Sequence, residues 1–319
     1  MKTNPIITVL MPAYNASKYI SDAIKSVLTQ TYQDFELVIV NDGSTDDTLD
    51  IVNSFTDSRI VIINQNNMGV ATALNTGLKH SKGTYIARFD ADDLCYPERL
   101  EKQLSFLQNN PDYVLVGSDA DYILEDDGFL FHFKCIAHTH DEVMQKLYFY
   151  CPFVHPTVMY KKECVCNAGG YPADAHNFED YMLWIAIAKT GKLCNLPEPL
   201  IKYRLNPTSV TIDERWRGKR FRELKRKAVL SGTITHEAGN EILTIIKAQD
   251  MVHIKQGAYH ALCGKKFLTN NYQPQKAREH FKRTIKIRPR RLDNYLLYTV
   301  SYMPKRLIWW LHKMSPNRL

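Results

Sequence analysis

The sequence predicts an α/β fold, in which a mostly parallel sheet is flanked by helices and followed by a helical C-terminal region. Apolar, β-rich runs alternate with amphipathic segments through the first third of the 319 residues. The starts of these runs recur about every 25 to 30 residues, which is the length of a βαβ unit. Most of the runs are apolar almost throughout, as in strands buried on both faces. This alternation favours a sheet covered by helices on both sides.

Each element of the first third has its own local signal. The first helix places the apolar residues from Ile20 to Val27 on one face, which is typical of an amphipathic helix. The second helix has Asp46 and Asp47 in its first turn, which suits the helix macrodipole, and Pro97 opens the fourth. The predicted strands cover residues 6–11, 35–40, 59–63, 85–89 and 113–117. The predicted helices cover residues 17–30, 45–55, 70–80 and 97–108.

The rest of the chain has a different pattern. Between about residues 119 and 210 short apolar runs alternate with loops, and residues 177–189 predict one buried helix. From about residue 213 the chain is helical and basic, and residues 257–289 have the pattern of a single helical hairpin. We therefore divide the chain into residues 1–118, 119–212 and 213–319.

The net charge of +7 conceals a strong asymmetry along the chain. Residues 211–319 contain 24 Lys and Arg against 8 Asp and Glu, whereas residues 1–210 contain 17 against 26. The acidic N-terminal part and the basic C-terminal part, or basic rear, indicate two separate functions. A rear of this kind binds anionic partners, which are either nucleic acid or an anionic membrane surface.

Cysteine usage and hydropathy indicate the compartment. The seven cysteines are odd in number and none has Cys-x-x-Cys spacing, so we expect reduced thiols rather than disulfides or a zinc site. The N-terminal apolar run is broken by Pro5 and Pro12 and is too short for a signal peptide. No stretch of about 18 uncharged apolar residues occurs. We expect a cytoplasmic protein without a membrane-spanning helix.

An acidic cluster follows the strand predicted at residues 85–89. It contains Asp90, Asp92 and Asp93, and carboxylates packed this densely repel one another. A divalent cation relieves the repulsion, because hard oxygen ligands suit Mg²⁺ or Mn²⁺. The carboxyl end of an α/β strand is where ligands bind, and a metal held there suits a diphosphate. The alternative is an acidic, solvated turn.

The other strand ends suggest how a nucleotide would bind. Neither the P-loop motif nor G-x-G-x-x-G is present, so a diphosphate must be neutralised without a glycine cradle. The second strand ends at Asp42, whose carboxylate can accept the imide N–H of a uracil ring while Tyr14 stacks on the ring. The alternative is that Asp42 and Gly43 form a turn and Ser44 caps the next helix. Both can hold together.

The motifs in order resemble family 2 glycosyltransferases, which have a GT-A fold. The resemblance rests on the segments MPAYNASKYISDAIKSVLTQTYQDFELVIVNDGSTDDT, NMGVATALNTGLKHSKGTYIARFDADD, GGY with FEDYMLW, and LIKYR. It is most specific over residues 6–110, continues to about residue 210, and does not cover residues 211–319. It implies inverting, metal-dependent transfer of a sugar from a nucleotide sugar, with UDP as the expected nucleotide.

The resemblance also implies roles for the donor side and for the three parts of the chain. Residues 1–118 form the nucleotide-sugar-binding half, residues 119–212 carry the acceptor site and the catalytic base, and residues 213–319 form the basic helical region. Six residues take the donor-side roles: Pro12, Tyr14 and Asp42 for the base, Arg88 for donor phosphate or sugar, Asp90 for ribose and metal, and Asp92 for the metal.

On the acceptor side, the Glu179–Asp180 pair falls on the family's Glu-Asp motif, in which the Asp is the catalytic base. Inversion needs one base that removes the proton of the attacking hydroxyl, and a metal stabilises the departing diphosphate. Glu179 and His155 are then acceptor-side residues. The alternatives are that Asn177 or Asp180 caps the helix and that His155 is structural.

One departure concerns the metal. The family often has a His shortly after the Tyr-Arg pair, and Asn206 stands at that position here. The third protein ligand therefore stays open, and so does the choice between Mg²⁺ and Mn²⁺.

The basic rear also has two interpretations. Eight Lys and Arg lie between Arg215 and Lys227, and residues 292–313 mix Leu, Tyr, Ile and Trp with basic residues. That composition suits a pair of interfacial helices on anionic lipid, or an ordinary solvated helix whose Trp residues close the core. The lipid interpretation suits an acceptor glycan built on a polyprenyl diphosphate, as in surface polysaccharide synthesis (lipopolysaccharide, capsule or exopolysaccharide). It places the protein at the inner face of the plasma membrane, and no nucleic-acid partner is expected.

Two rival functions stand beside the transferase. A nucleotidyltransferase would have a first loop rich in glycine and lysine, which the segment PAYNAS is not. A non-catalytic sugar-nucleotide-binding or membrane-associated scaffold would keep Asp42 but would have no need of Asp180.

Overall fold

The computed structural model of the chain describes residues 4–207, 218–249 and 252–314. The predicted basic stretch that starts at Arg215 lies partly outside these residues. The strands are β1 (Ile7–Ala13), β2 (Phe35–Asp42), β3 (Ile60–Gln65), β4 (Tyr85–Arg88), β5 (Leu94–Cys95), β6 (Tyr113–Ile123), β7 (Phe129–Phe133), β8 (Met159–Lys161) and β9 (Lys192–Arg204). The helices of the first 190 residues are α1 (Ile20–Leu28), α2 (Thr48–Asn53), α3 (Val70–His80), α4 (Arg99–Asn109), α5 (His140–Lys146), α6 (Lys162–Asn167) and α7 (Glu179–Ile187). The later helices are α8 (Lys219–Ser231), α9 (His236–Gln249), α10 (Val252–Thr269), α11 (Pro274–Ile287), α12 (Leu292–Val300) and α13 (Lys305–Met314).

The sheet confirms the predicted fold class and limits the parallel part to its first four strands. The strand order is β3-β2-β1-β4-β8-β6-β9-β5, and β7 pairs with β6. Strands β3, β2, β1 and β4 pair in parallel, whereas β8 is antiparallel to both β4 and β6. The carboxyl ends of β1, β2 and β4 therefore meet at one edge of the sheet, as the sequence predicted for the ligand site.

The core of the sheet is tightly packed against α3. Every residue of β2 is buried, and so are all but one of β1. A Cβ atom added to Gly77 of α3 would lie 2.1 Å from Leu10 Cδ1 and 3.1 Å from Val40 Cγ2. Because Leu10 and Val40 are fully buried, they have little room to move. Glycine at position 77 thus allows the helix backbone to lie directly on the strands.

The predicted and observed elements differ mainly after residue 117. Helix α3 has the predicted bounds, and the other elements of the first third lie where the pattern placed them, with ends that differ by a few residues. Strand β6 continues to Ile123, beyond its predicted end. Strand β9 was not predicted, because it contains Pro197 and Pro199, and proline inside an apolar run argues against a strand.

The chain divides into two compact units. The first comprises Met1–Asp121, His132–Tyr203 and Glu223–Ile242, and the second Tyr122–Phe131, Arg204–Arg222 and Leu243–Leu319. Most of the predicted donor and acceptor halves thus lie in one unit. Whether those halves bind donor and acceptor separately stays a prediction.

In the second unit, α10 and α11 form the predicted helical hairpin. A Cβ atom on Gly264 would lie 2.6 Å from the ring of Phe281, so glycine lets the two helices approach closely. Ala277 and Phe267 are buried in the same hairpin. Across the described ranges, no helix combines the length and the apolar character needed to cross a bilayer.

Candidate active site

The turns after β1 and β2 are tied to each other by side chain to backbone hydrogen bonds. Asn15 N–H donates to Ser44 Oγ at 3.0 Å, and Thr45 N–H donates to Asn15 Oδ1 at 2.8 Å. Asn15 has a positive φ of 49°, which asparagine tolerates better than most residues. Tyr14, which precedes it, is 50% exposed, and Pro12 is half-buried near the end of β1. Tyr14 is therefore available to a ligand on a turn whose position is fixed.

Asp42 joins the turn after β2 to the turn after β3. Its carboxylate is buried and accepts hydrogen bonds from Gln65 Nε2 at 2.7 Å, Met68 N at 2.9 Å and Gly69 N at 2.9 Å. Only the Gly69 bond is made by Oδ2, and a carboxylate offers about four acceptor positions. Asp42 thus has a structural role in the turn, and Oδ2 retains the capacity to accept a ligand N–H.

The three acidic residues after β4 converge. Oxygen atoms of Asp90, Asp92 and Asp93 all lie within 4.8 Å of one another. Asp90 and Asp92 are half-buried, and Asp93 is 1% exposed. Three carboxylates at this spacing are a suitable oxygen donor set for Mg²⁺ or Mn²⁺. The sequence prediction named Asp90 and Asp92 as ligands, and the geometry adds Asp93, which the dense acidic run had signalled.

Arg88 provides the positive charge beside this cluster. Its Nη1 lies 2.5 Å from Asp90 Oδ2, and its own carbonyl accepts a hydrogen bond from Arg99 Nη2 at 2.7 Å. Burial alone would lower the pKa of Arg88, but the ion pair with Asp90 outweighs burial and raises it. Arg88 Nε is buried without a hydrogen-bond partner among the described residues. A fixed cation with an unused donor is therefore available at this edge.

The predicted catalytic pair begins helix α7. The N-cap residue Phe178 makes no side-chain cap, and Asp180 Oδ1 accepts the N–H of Tyr181 at 2.7 Å. Asp180 is half-buried, and the sulfur of Cys151 lies 4.0 Å from its Oδ2. The helix N-terminus stabilises a negative charge at this position. The carboxylate of Asp180 therefore helps to begin the helix through the Tyr181 N–H and also lies near Cys151.

Glu179 is buried beside Asp180. It is 6% exposed, and its Oε2 has no hydrogen-bond partner in the part of the chain that the structure describes. Burial, followed by the charge of Asp180, raises the pKa of Glu179 to about 7, whereas the charge of Arg88 opposes that rise. Glu179 and Arg88 are thus electrostatically linked across the site.

His155 belongs to an aromatic cluster that includes Trp184 of α7, the helix that begins with Glu179 and Asp180. Its Nε2 lies 3.2 Å from the Tyr171 hydroxyl, which lies 3.1 Å from the Tyr160 hydroxyl. The centroids of the His155 and Trp184 rings are 5.8 Å apart. Burial, and then the charge of Arg88, lowers the pKa of His155 well below its usual value, so the ring is neutral. This packing supports the structural interpretation of His155, and its acceptor role stays a prediction.

Asn75 is a site residue that the sequence did not reveal. Its Oδ1 accepts the N–H of Tyr171 and its Nδ2 donates to the carbonyl of Tyr171, both at 2.8 Å. A Cβ atom on Gly170 would lie 2.5 Å from Asn75 Oδ1, and Gly170 has a φ of 79°. Asn75 therefore fixes the tyrosine that contacts His155. Asn206 belongs to the second unit, and any role in metal binding stays a prediction.

The strand order and the acidic cluster after β4 match the GT-A fold of glycosyltransferases, which is the fold class of this chain. The chain matches the model of Glycosyl transferase family 2 over residues 8–157, and it belongs to this family. It is 34% identical to an uncharacterized glycosyltransferase of Haemophilus influenzae over 221 residues, which are 65% of this chain and 67% of that protein. It is also 34% identical to the O-antigen biosynthesis glycosyltransferase WbnJ of Escherichia coli, over 64% of this chain and 81% of WbnJ.

Some relatives are much longer than this chain. An uncharacterized glycosyltransferase of Rickettsia bellii is 32% identical over 64% of this chain, which spans 29% of that protein.

Two solved structures share the fold at lower identity. S. aureus TarS 1-349 in complex with UDP has a TM-score of 0.54 and 17% identity, with 97% of this chain and 91% of that chain covered. The mannosyltransferase PcManGT from Pyrobaculum calidifontis in complex with GDP-Man and Mn²⁺ has a TM-score of 0.52 and 19% identity, with 99% and 89% covered. At these identities the likeness shows the fold alone.

We predict that Glu179 makes the folded state less stable as pH rises. Its pKa is raised from 4.5 to about 7 in the folded chain, so the folded state holds an extra proton between these values and loses that advantage as pH rises through them. Gln cannot ionise, so Glu179→Gln lacks this loss of stability. The free energy of unfolding of Glu179→Gln minus that of the wild type should therefore rise by on the order of 2 kcal/mol between pH 5 and pH 8. Urea unfolding at both pH values measures this, and an identical difference at both would contradict it.

Proposed function

We propose that the chain is an inverting, metal-dependent hexosyltransferase that moves a sugar from a UDP-sugar to a hydroxyl of a growing, lipid-linked glycan in surface polysaccharide synthesis. Family membership supports sugar transfer. The name of the E. coli relative supports polysaccharide synthesis, and the UDP complex of TarS supports the nucleotide. The observation that carries the proposal is the convergence of Asp90, Asp92 and Asp93 beside Arg88.

The donor would bind along the edge formed by the first strands. Tyr14 would stack on the uracil ring and Asp42 Oδ2 would accept its imide N–H, with Pro12 against the base. Asp90 and Asp92, joined by Asp93, would hold Mg²⁺ or Mn²⁺, which when bound neutralises the departing diphosphate.

On the acceptor side, Asp180 would take the proton of the attacking hydroxyl as the new glycosidic bond forms. A single displacement with one base inverts the anomeric carbon and requires no covalent nucleophile. Arg88 Nε would donate to the donor phosphate or sugar, which would hold the reacting carbon in position.

The first test concerns metal and donor together. We expect UDP release from one or more of UDP-glucose, UDP-galactose and UDP-N-acetylglucosamine with Mg²⁺ or Mn²⁺, and loss of release in excess EDTA. Asp92→Asn should abolish the metal-dependent activity, because it removes a ligand charge, whereas Asp22→Asn on the exposed face of α1 should not. Full activity in excess chelator would exclude the metal role.

The second test concerns the base. Asp180→Asn keeps the shape of the side chain and its bond to the Tyr181 N–H but cannot accept a proton. We expect the turnover number to fall by roughly 10²-fold or more, which is the scale of general-base loss. UDP affinity, measured by calorimetry, should hardly change. A collapse of UDP affinity together with a high residual rate would assign Asp180 to the donor site instead.

We further propose that helices α12 and α13 attach the protein to the inner face of the plasma membrane. Leu292, Leu296, Trp309 and Trp310 are 79%, 62%, 57% and 55% exposed. Ile308 of α13, in contrast, is 2% exposed. Lys305 and Arg306 are also exposed on α13. Exposed tryptophan beside basic residues suits anionic lipid better than it suits water.

Vesicle binding tests this attachment. The protein should sediment with vesicles of phosphatidylglycerol and phosphatidylcholine at low salt, because each basic residue near the surface contributes about 1 kcal/mol. Lys305→Glu with Arg306→Glu should weaken binding most at low salt, since salt screens charges. Trp309→Ala with Trp310→Ala should weaken it most at high salt.

The matched control is Lys25→Glu with Lys102→Glu in the first unit, which should leave vesicle binding unchanged. Failure of the wild type to bind acidic vesicles at low salt would overturn the attachment.

A further inference from the structure

Three consecutive aromatic residues stand out of the first unit immediately after α5. This aromatic run consists of Tyr148, Phe149 and Tyr150, which are 39%, 78% and 53% exposed. A lone exposed aromatic residue is ordinary, whereas three in succession expose a large apolar area on one short segment, and exposed apolar area is a feature of binding sites. None of the assigned donor or catalytic roles uses these residues.

The aromatic run is held on both sides by buried anchors. Leu147 before it is fully buried, and the N–H groups of Phe149 and Tyr150 both donate to the Lys146 carbonyl, at 2.9 and 3.2 Å. After it, the Pro152 carbonyl accepts a hydrogen bond from Asn195 Nδ2 at 3.1 Å. The rings are therefore carried by a fixed turn, so a ligand would pay little ordering cost to bind them.

The aromatic run leads directly to the proposed base. The next residue is Cys151, whose sulfur lies 4.0 Å from Asp180 Oδ2. Phe153, two residues further on, lies against Trp184 of α7 with ring centroids 6.0 Å apart. The aromatic run thus ends next to Cys151, which lies beside the Asp180 carboxylate that would meet the acceptor hydroxyl.

We propose that the aromatic run binds a neutral sugar ring of the acceptor and so presents its hydroxyl to Asp180, an inference that rests on the proposed function. The C–H face of a pyranose is apolar and packs on an aromatic ring, while the two tyrosine hydroxyls can donate to sugar oxygens. The run carries no charge. The nearest preceding cation, Lys146, is bonded to the Ile136 carbonyl. An uncharged aromatic segment that carries hydroxyl groups suits a sugar rather than a phosphate.

The test compares Phe149→Ala with Phe129→Ala, a phenylalanine of the second unit that is 54% exposed. The probes are the methyl glycosides of glucose, galactose, N-acetylglucosamine and rhamnose, and the decyl glycosides of the same sugars. With the donor that the wild type uses, Phe149→Ala should raise the KM of the methyl glycosides about ten-fold with little change in kcat. A ten-fold change corresponds to the loss of one aromatic contact. Phe129→Ala should change neither.

Saturation-transfer NMR gives a readout that needs no activity. In the presence of UDP, the wild type should transfer saturation to the ring protons of at least one methyl glycoside, and Phe149→Ala should transfer less. Tyr148→Phe with Tyr150→Phe keeps the rings and should show a smaller loss. The rise in melting temperature caused by UDP should be the same in every variant, which shows that the donor side is intact.

The outcomes separate this inference from the proposed function. If no nucleotide sugar yields UDP in the wild type, the proposed function fails. The NMR experiment alone then tests whether the aromatic run binds a sugar. The sugar-binding role of the aromatic run is overturned if KM is unchanged in Phe149→Ala. It is also overturned if the wild type transfers no saturation to any methyl glycoside. An effect confined to the decyl glycosides also overturns it, because the rings would then hold an alkyl chain.

Discussion

The site depends on one ion pair, between the buried guanidinium of Arg88 and the half-buried carboxylate of Asp90 at the carboxyl end of β4. Three carboxylates within 4.8 Å of one another would repel strongly without a cation. Arg88 Nη1 lies 2.5 Å from Asp90 Oδ2, and because Arg88 is itself buried, removal of Asp90 would leave a buried guanidinium without its ion-pair partner. The same guanidinium lowers the pKa of His155 and opposes the rise in the pKa of Glu179. Burial is the largest cause of both pKa shifts, and the charge of Arg88 acts on His155 and on Glu179 in addition to burial.

The sheet supplies the frame for this pair through turns that are bonded to one another. Asn15 joins the first turn to the second, and Asp42 joins the second to the third. A Cβ atom on Gly43 would lie 2.6 Å from the backbone nitrogen of Asn67, so the second and third turns touch through their backbones. A glycine-rich phosphate loop presents backbone N–H groups to a ligand. In these turns, by contrast, the N–H groups of Asn15, Thr45, Met68 and Gly69 donate to side chains of the turns themselves.

The sequence predicted the parts of the fold whose signals are local. Helix α3 and strands β1 to β4 follow hydrophobic periodicity, and the acidic cluster follows a strand end, so each could be read from a few neighbouring residues. Strand β9 could not, because its prolines are tolerated only in the paired context that the whole sheet provides. Asn75 was missed for a similar reason. Its partner Tyr171 is 96 residues away, and no local pattern marks a hydrogen bond of that range.

The adjacent carboxylates of α7 illustrate how position can divide two similar groups between two tasks. Glu179 is buried and has its pKa raised to about 7, whereas Asp180 is half-buried at the helix N-terminus. When two like charges are this close, the proton that relieves their repulsion goes to the more buried group, where charge is least well solvated. The proton of the pair therefore favours Glu179, whose pKa is raised, and Asp180 is the less buried member. In the reaction proposed above Asp180 would act as the ionised base, and protonation of Glu179 would remove the like charge beside it.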